Sequence, residues 1–294
     1  MSGITLPFQR GYIIDARHDA LWFLSLPFIA VTLAWGAHHY LPGGALVAIT
    51  LWITVPHFLI TGLRVYGSPA EFARWRERFV LSPILLVLFA FALAVYAPLT
   101  LVLLVTLWDH QHSLMQQYGF ARIYDFKAKT GGPLAGKFDL YFNWVFFFNM
   151  VLVSPLFSTI WVRMLHEWRL PISAAGVELV HQLSWTLTIA YGLAYVGYLV
   201  WCLRQGYPLN PLKYVFLLSS YFLWYFTSFT SEYLMVYAVA HRLMHGIQYI
   251  AMIYYFNRTR VARTGGDSSL LTLLAKPGHF KIFLLLCVAS MLIW

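Results

Sequence analysis

Long apolar runs, broken by short polar clusters, organise this chain from end to end. A helix needs about 20 consecutive, mainly apolar residues to cross a bilayer. Applied along the sequence, that length predicts nine spans at 20–40, 44–66, 79–97, 98–121, 138–161, 176–203, 212–230, 232–257 and 279–294. The third and fourth are separated by little more than Ala97-Pro98, and the seventh and eighth by Ser231-Glu232, so each pair reads as a tight helical hairpin. The final run is short and stops at Trp294, which leads us to expect that the natural chain extends further. The expected fold is all-α: a polytopic membrane bundle of about eight or nine helices forming a single transmembrane domain over 1–294.

Composition agrees with this pattern. Only 11% of the residues are charged and 60% are hydrophobic, with a mean hydropathy of +0.67. A soluble domain carries about 25% charged residues. The net charge of +9 would suggest nucleic acid in a soluble protein, but here it follows from where the basic residues fall. With the N-terminus placed in the cytoplasm, 17 of the 20 Lys and Arg residues lie on the inner side. Only Arg163 and Arg169 lie outside, and Arg242 lies within a span. Cytoplasmic loops of membrane proteins carry that excess, so a multi-pass protein of a bacterial-type inner membrane is expected and a nucleic-acid partner is not. The polar N-terminal stretch, with Asp15 and Asp19, lacks the pattern of a cleavable signal peptide. Cys202 and Cys287 lie far apart in apolar runs without CxxC spacing, which argues against a thiolate metal site.

Three spans break the apolar pattern with ionisable residues, and such residues at membrane depth mark functional sites by default. Span 2 carries Pro56-His57, span 4 carries Asp109, His110, His112, Gln116 and Gln117, and span 8 carries His241, Arg242 and His245. All three spans run from outside to inside and reach a basic anchor at Arg64, Arg122 and Arg258 respectively. Counted back from those anchors, at about 1.5 Å per helical residue, His57, His112 and His245 share one layer in the cytoplasmic half of the bilayer. His241 and His245 are spaced i,i+4 and can chelate one ion, with Gln248 a turn further on. Asp109, His112 and Gln116 share a face, whereas His110 points roughly 160° from His112 and suits a second ion or a structural partner. The expected metal ligands are therefore His57, His112, His241 and His245, with His110 an additional one. Asp109 serves as ligand or orienter, Gln116 orients ligands or water, and Arg242 meets a counter-charge such as Asp109 or Glu232, or an anionic substrate group.

The other histidines have plainer readings. His18, His38, His39 and His279 fall at predicted interfaces, and Glu178 with His181 forms a Glu-x-x-His sequence at the outer start of span 6. The aromatic runs of spans 5 and 7, Tyr141 to Asn149 and Tyr221 to Phe226, read mainly as lipid-facing packing.

Imidazoles and a carboxylate in an apolar cavity suit iron, zinc or copper. An iron site of one or two ions with open positions is the natural means of activating oxygen against an unreactive lipid chain. Pro56-His57 and the His-x-x-x-His from His241 to His245 resemble motifs of the rhodopsin-associated integral-membrane carotene oxygenases. That resemblance implies histidines on several spans holding iron. The family's His-x-x-x-Asp pattern is missing, since Thr61 follows His57 and Gln116 follows His112 at that spacing. The His-x-x-His-His box of membrane desaturases is missing too.

The expected function is oxygen-dependent oxidation of a hydrophobic substrate drawn from the bilayer, with electrons supplied by a cytoplasmic donor docking on the basic inner loops. Two other classes remain open: an ion- or proton-coupled transporter or channel using the same histidines and Asp109, and a haem- or quinone-binding electron-transfer subunit. Oligomeric state is not legible in the sequence.

Overall fold

The computed structural model describes residues 8–266 and 269–292. Their regular structure is helical, apart from one isolated bridge between Phe8 and Leu209. In chain order the helices are α1 (Ala16–Asp19), continued by a π-helical turn (Ala20–Leu24), α2 (Leu26–Tyr40), α3 (Gly43–Tyr66), α4 (Pro69–Tyr96) and α5 (Pro98–Ala128). They continue as α6 (Ala135–Val153), α7 (Pro155–Glu167), α8 (Ala174–Arg204), α9 (Pro211–Thr230), α10 (Leu234–Thr264), α11 (Leu270–Leu274) and α12 (Phe280–Met291).

Among the described residues, α3, α4 and α8 are each long and apolar enough to cross a membrane. The bent pairs α1–α2 and α6–α7 raise the number to five if each is one span. The predicted run 138–161 is thus not one straight helix: it bends by 71° between α6 and α7. The cause is local. Pro155 starts α7 at a position where its missing N–H costs nothing, and the Ser154 hydroxyl caps the new helix by accepting from Phe157 N. Helix α4 starts ten residues earlier than its predicted span, with Pro69 at its first position, and none of its residues is buried. A long apolar helix without a buried side is compatible with a membrane setting.

The chain divides into two compact units, one from segments 1–31 and 102–237, the other from 32–101 and 238–294. In the first unit α6 packs along α8 and also meets α7 and α9. The Phe138 and Tyr198 rings stack with centroids 4.1 Å apart. The aromatic runs of α6 and α9 are not mainly lipid-facing as the sequence suggests. Phe142, Phe147, Tyr221 and Trp224 are buried, and the hydroxyls of Tyr221 and Tyr225 donate to the Asn143 carbonyl at 2.9 Å and to Asn149 Oδ1 at 2.7 Å. Tyrosine buries a large ring while its hydroxyl meets a polar partner, so these residues join helices.

In the second unit, α3 packs on α4, α11 and α12 around Ile60, Ile253, Leu271, Leu274 and Phe283. Gly246 on α10 sets a close approach: a Cβ there would lie 2.7 Å from Ile53 Cγ2 on α3. Small residues let membrane helices approach in this way.

Candidate metal centre

Within the second unit, α3 and α10 bring buried histidines together. His57 follows Pro56, which has no N–H to give the Trp52 carbonyl one turn back. The Thr61 hydroxyl donates to the His57 carbonyl at 2.8 Å, and the Tyr249 hydroxyl lies 3.2 Å from Thr61 Oγ1. The His57 ring packs 4.6 Å from the Tyr249 ring and 5.0 Å from the His245 ring. His57 and His245 each offer a ring nitrogen within 4.8 Å of the other. Two imidazoles on one ion, each at about 2.0–2.1 Å, have nitrogens at most about 4.2 Å apart, so a small rotation of either ring makes the pair a chelate.

His241 stacks on His245 at 5.9 Å with only 11° between the ring planes. Parallel stacking sets it beside His245, one turn away along α10. Gln248, fully buried, follows on the same helix, and Arg242 is half-buried. This unit therefore supplies two converging imidazoles, a third alongside and a tyrosine hydroxyl network behind His57. Such a donor set fits a borderline ion, iron, zinc or copper, better than calcium or magnesium, which take oxygen ligands.

The first unit contains the remaining predicted residues, all on α5. His112 is exposed, Asp109 and Gln116 are half-buried and His110 is buried. His110 is held through both ring nitrogens. Nδ1 lies 2.6 Å from the Thr106 carbonyl, and Nε2 is hydrogen-bonded by the Tyr237 hydroxyl. Its ring also stacks with Phe147 and Tyr237. Metal ligation by His110 would displace one of those bonds, so its geometry is that of a core histidine. Glu178 accepts from Gln182 Nε2 at 3.0 Å on an exposed turn, an ordinary i,i+4 pair.

One polar cluster in the first unit is not evident in the sequence. Lys213 Nζ lies 2.9 Å from Asp125 Oδ2 and 3.1 Å from Asp139 Oδ2, with all three side chains about 1% exposed. Arg122 reaches the same two oxygens at 2.7 and 3.1 Å. The Tyr195 hydroxyl donates to Asp139 Oδ1 at 2.7 Å and the Thr130 hydroxyl to Asp125 Oδ1 at 3.1 Å. Two cations and two carboxylates balance, and every carboxylate oxygen has a partner, as burial of such charges demands. In the sequence Arg122 reads as the inner anchor of span 4 and Lys213 as one of the basic residues of the inner side. The available signal is the coincidence of two acids and two bases at the ends of neighbouring apolar runs.

Comparison with protein-family models, with curated proteins and with solved structures finds no match to this chain.

Proposed function

We propose that this chain is a multi-pass membrane protein that binds a transition-metal ion at His57 and His245, and that it oxidises a hydrophobic substrate with molecular oxygen. The observation that carries the reading is the pair of buried imidazoles converging from α3 and α10 within largely apolar helices. The proposal includes eight or nine spans, a cytoplasmic N-terminus and a bilayer location.

His241 is the nearest further donor. His112 is proposed as another ligand on the sequence argument of shared depth, with Asp109 and Gln116 orienting ligands or water. Iron is the proposed metal, as one or two ions, because open positions on such a site supply oxygen activation. Around it, this chain's residues have simpler tasks. Thr61 and Tyr249 fix the His57 helix turn and ring, which sets the direction in which its nitrogen points. Apolar neighbours keep bulk water away from a reactive centre. A cytoplasmic donor docking at the basic inner segments would supply electrons. The short resemblance to membrane carotene oxygenases at Pro56-His57 and His241–His245 supports the same class.

Elemental analysis of gently purified protein tests the reading. About one or two irons per chain, lost in His57→Ala and in His245→Ala, are expected, followed by lipid-dependent oxygen consumption. Stoichiometric zinc would point to hydrolytic chemistry. A Soret band would point to haem, and a protein without bound metal that drives ion flux in proteoliposomes would replace the proposal with transport.

A further inference from the structure

The second unit contains two cavities that meet at shared walls. The first, about 460 Å³, is lined by Arg64, Ser68, Glu71, Trp75, Asn257 and Arg260 among others. The second, about 500 Å³, lies along α3 and α4 and is lined by Phe58, Thr61, Gly62, Arg78, Pro83 and Leu86 among others. Val65 and Phe79 line both. Their chemistry differs. The first combines two guanidinium groups, one carboxylate, two serine hydroxyls and an amide. The second is mainly apolar, with Arg78, Thr61, Tyr66 and Ser82 its polar residues, and follows α4 for eight residues from Arg78 to Leu86, about 12 Å at helical rise.

We propose that the two cavities form one binding site for an anionic phospholipid. The phosphate headgroup sits against Arg64 and Arg260, and one acyl chain lies in the groove between α3 and α4. Three observations select this occupant. First, the polar cavity lies where basic residues gather: Arg64 precedes the Ser68–Pro69 turn, and Arg74 and Arg78 follow it, their guanidinium groups 5.2 and 4.6 Å from the Trp75 ring. Guanidinium forks match phosphate geometry, and basic pockets between membrane helices on the cytoplasmic side take anionic headgroups. Second, among the described lining residues three arginines stand against one Glu71. Third, the groove continues into the stretch of α4 that buries none of its residues, so a chain can slide in from the bilayer. Gly62 helps keep the groove open, since nothing lies within 4 Å of a Cβ built there. The groove wall at Phe58 and Thr61 is one residue layer from His57: the Phe58 ring lies 5.8 Å from the His57 ring. The binding site stands independently of the metal reading, because none of its lining residues is a proposed ligand.

The test uses full-length protein in detergent, stripped with a chelator so that its outcome is separate from that of the metal. Phosphatidylglycerol with brominated acyl chains is titrated against tryptophan fluorescence, and a Trp75→Phe variant identifies the Trp75 contribution. Brominated phosphatidylcholine and inorganic phosphate are run alongside. We expect saturable quenching by phosphatidylglycerol, weakened about 30-fold in Arg64→Gln/Arg260→Gln and only partly restored by Arg64→Lys/Arg260→Lys, which return the charge without the guanidinium fork. Gly62→Leu fills the groove from open space and should weaken lipid binding while leaving phosphate competition unchanged. Circular dichroism and gel filtration confirm that each variant is folded. Equal quenching by phosphatidylcholine, indifferent to the arginines, would overturn the proposal in favour of a nonselective lipid contact. Full competition by millimolar phosphate, with no effect of Gly62→Leu, would overturn it in favour of a free-phosphate site.

Discussion

Gly246 lies directly after His245, on the helix that approaches α3 at Ile53, one turn before His57, and Gly246→Ala tests whether that approach builds the histidine pair. The added methyl would sit 2.7 Å from Ile53 Cγ2, whereas carbon pairs rest at about 3.5–4.0 Å. The Ile53 side chain must therefore turn aside, or the two helices move apart by about 1 Å; the stiff β-branched rotamer of Ile53 in a helix favours the second. Alanine raises helix propensity by at most about 1 kcal/mol, while overpacking costs about 1–3 kcal/mol, so the variant should fold but sit slightly apart. The nitrogens of His57 and His245 are already within 4.8 Å, against at most about 4.2 Å on a shared ion. A further ångström exceeds what ring rotation recovers. Metal affinity, followed by cobalt absorbance in detergent, should fall about 10- to 100-fold, the scale seen when groups that orient metal ligands are disturbed. Ile53→Ala in the same chain removes the opposing methyl and should restore most of the loss, a coupling that a double-mutant cycle measures. Unchanged affinity in Gly246→Ala, or an equal loss with Ile53→Ala present, would refute the reasoning.

Other expectations follow from single contacts. Lys213→Met leaves Asp125 and Asp139 facing one another with Arg122 alone. Removal of one partner from a buried ion pair costs about 3–5 kcal/mol, so apparent melting should drop sharply, and adding Asp125→Asn should recover part of it. His110→Leu should keep the metal yet lower stability by about 1–3 kcal/mol, because the Tyr237 hydroxyl loses the imidazole acceptor and the weak contact with Met150 Sδ does not replace it; loss of metal would instead make His110 a ligand. Asp15 caps α1 by accepting from the backbone of His18 and Arg17, and the His18 contacts hold its carboxyl below the ordinary 3.8. A depressed folded-state value means that the cap is at full strength above about pH 4 and fades as pH falls through the lowered value. Amide exchange at Arg17 and His18 should show that trend, and Asp15→Asn should remove it.

The apolar runs at 44–66, 176–203 and 212–230 match α3, α8 and α9 within two residues, because Gly43, Ser173 and Pro211 mark where each helix starts. Counted depth groups His57 and His245 with His112 and His241 in the sequence, and α3 and α10 bring His57 and His245 within reach of one another. Other features depend on contacts between distant segments, which periodicity does not record. Nothing in the local pattern pairs Lys213 with Asp139, 74 residues away, and a lysine beside an apolar run reads equally well as a surface anchor. The fully apolar run across Ser154-Pro155 hides the bend because hydropathy is blind to backbone direction. Helix α10 continues to Thr264, past the predicted 257, since Arg258, Arg260 and Arg263 end the apolar run without ending the helix.

Helix α4 contributes a wall of the proposed lipid groove while burying no residue of its own. Its surroundings in the folded state are therefore mostly solvent, which on the proposed membrane reading is hydrocarbon. Choice of detergent becomes a structural variable: short-tailed micelles that fail to coat α4 would let it peel from α3 and open the groove, while nanodiscs would hold it in place. Preparations of this protein should accordingly differ in activity according to the thickness of the apolar belt around them, even when sequence, metal content and helicity are the same.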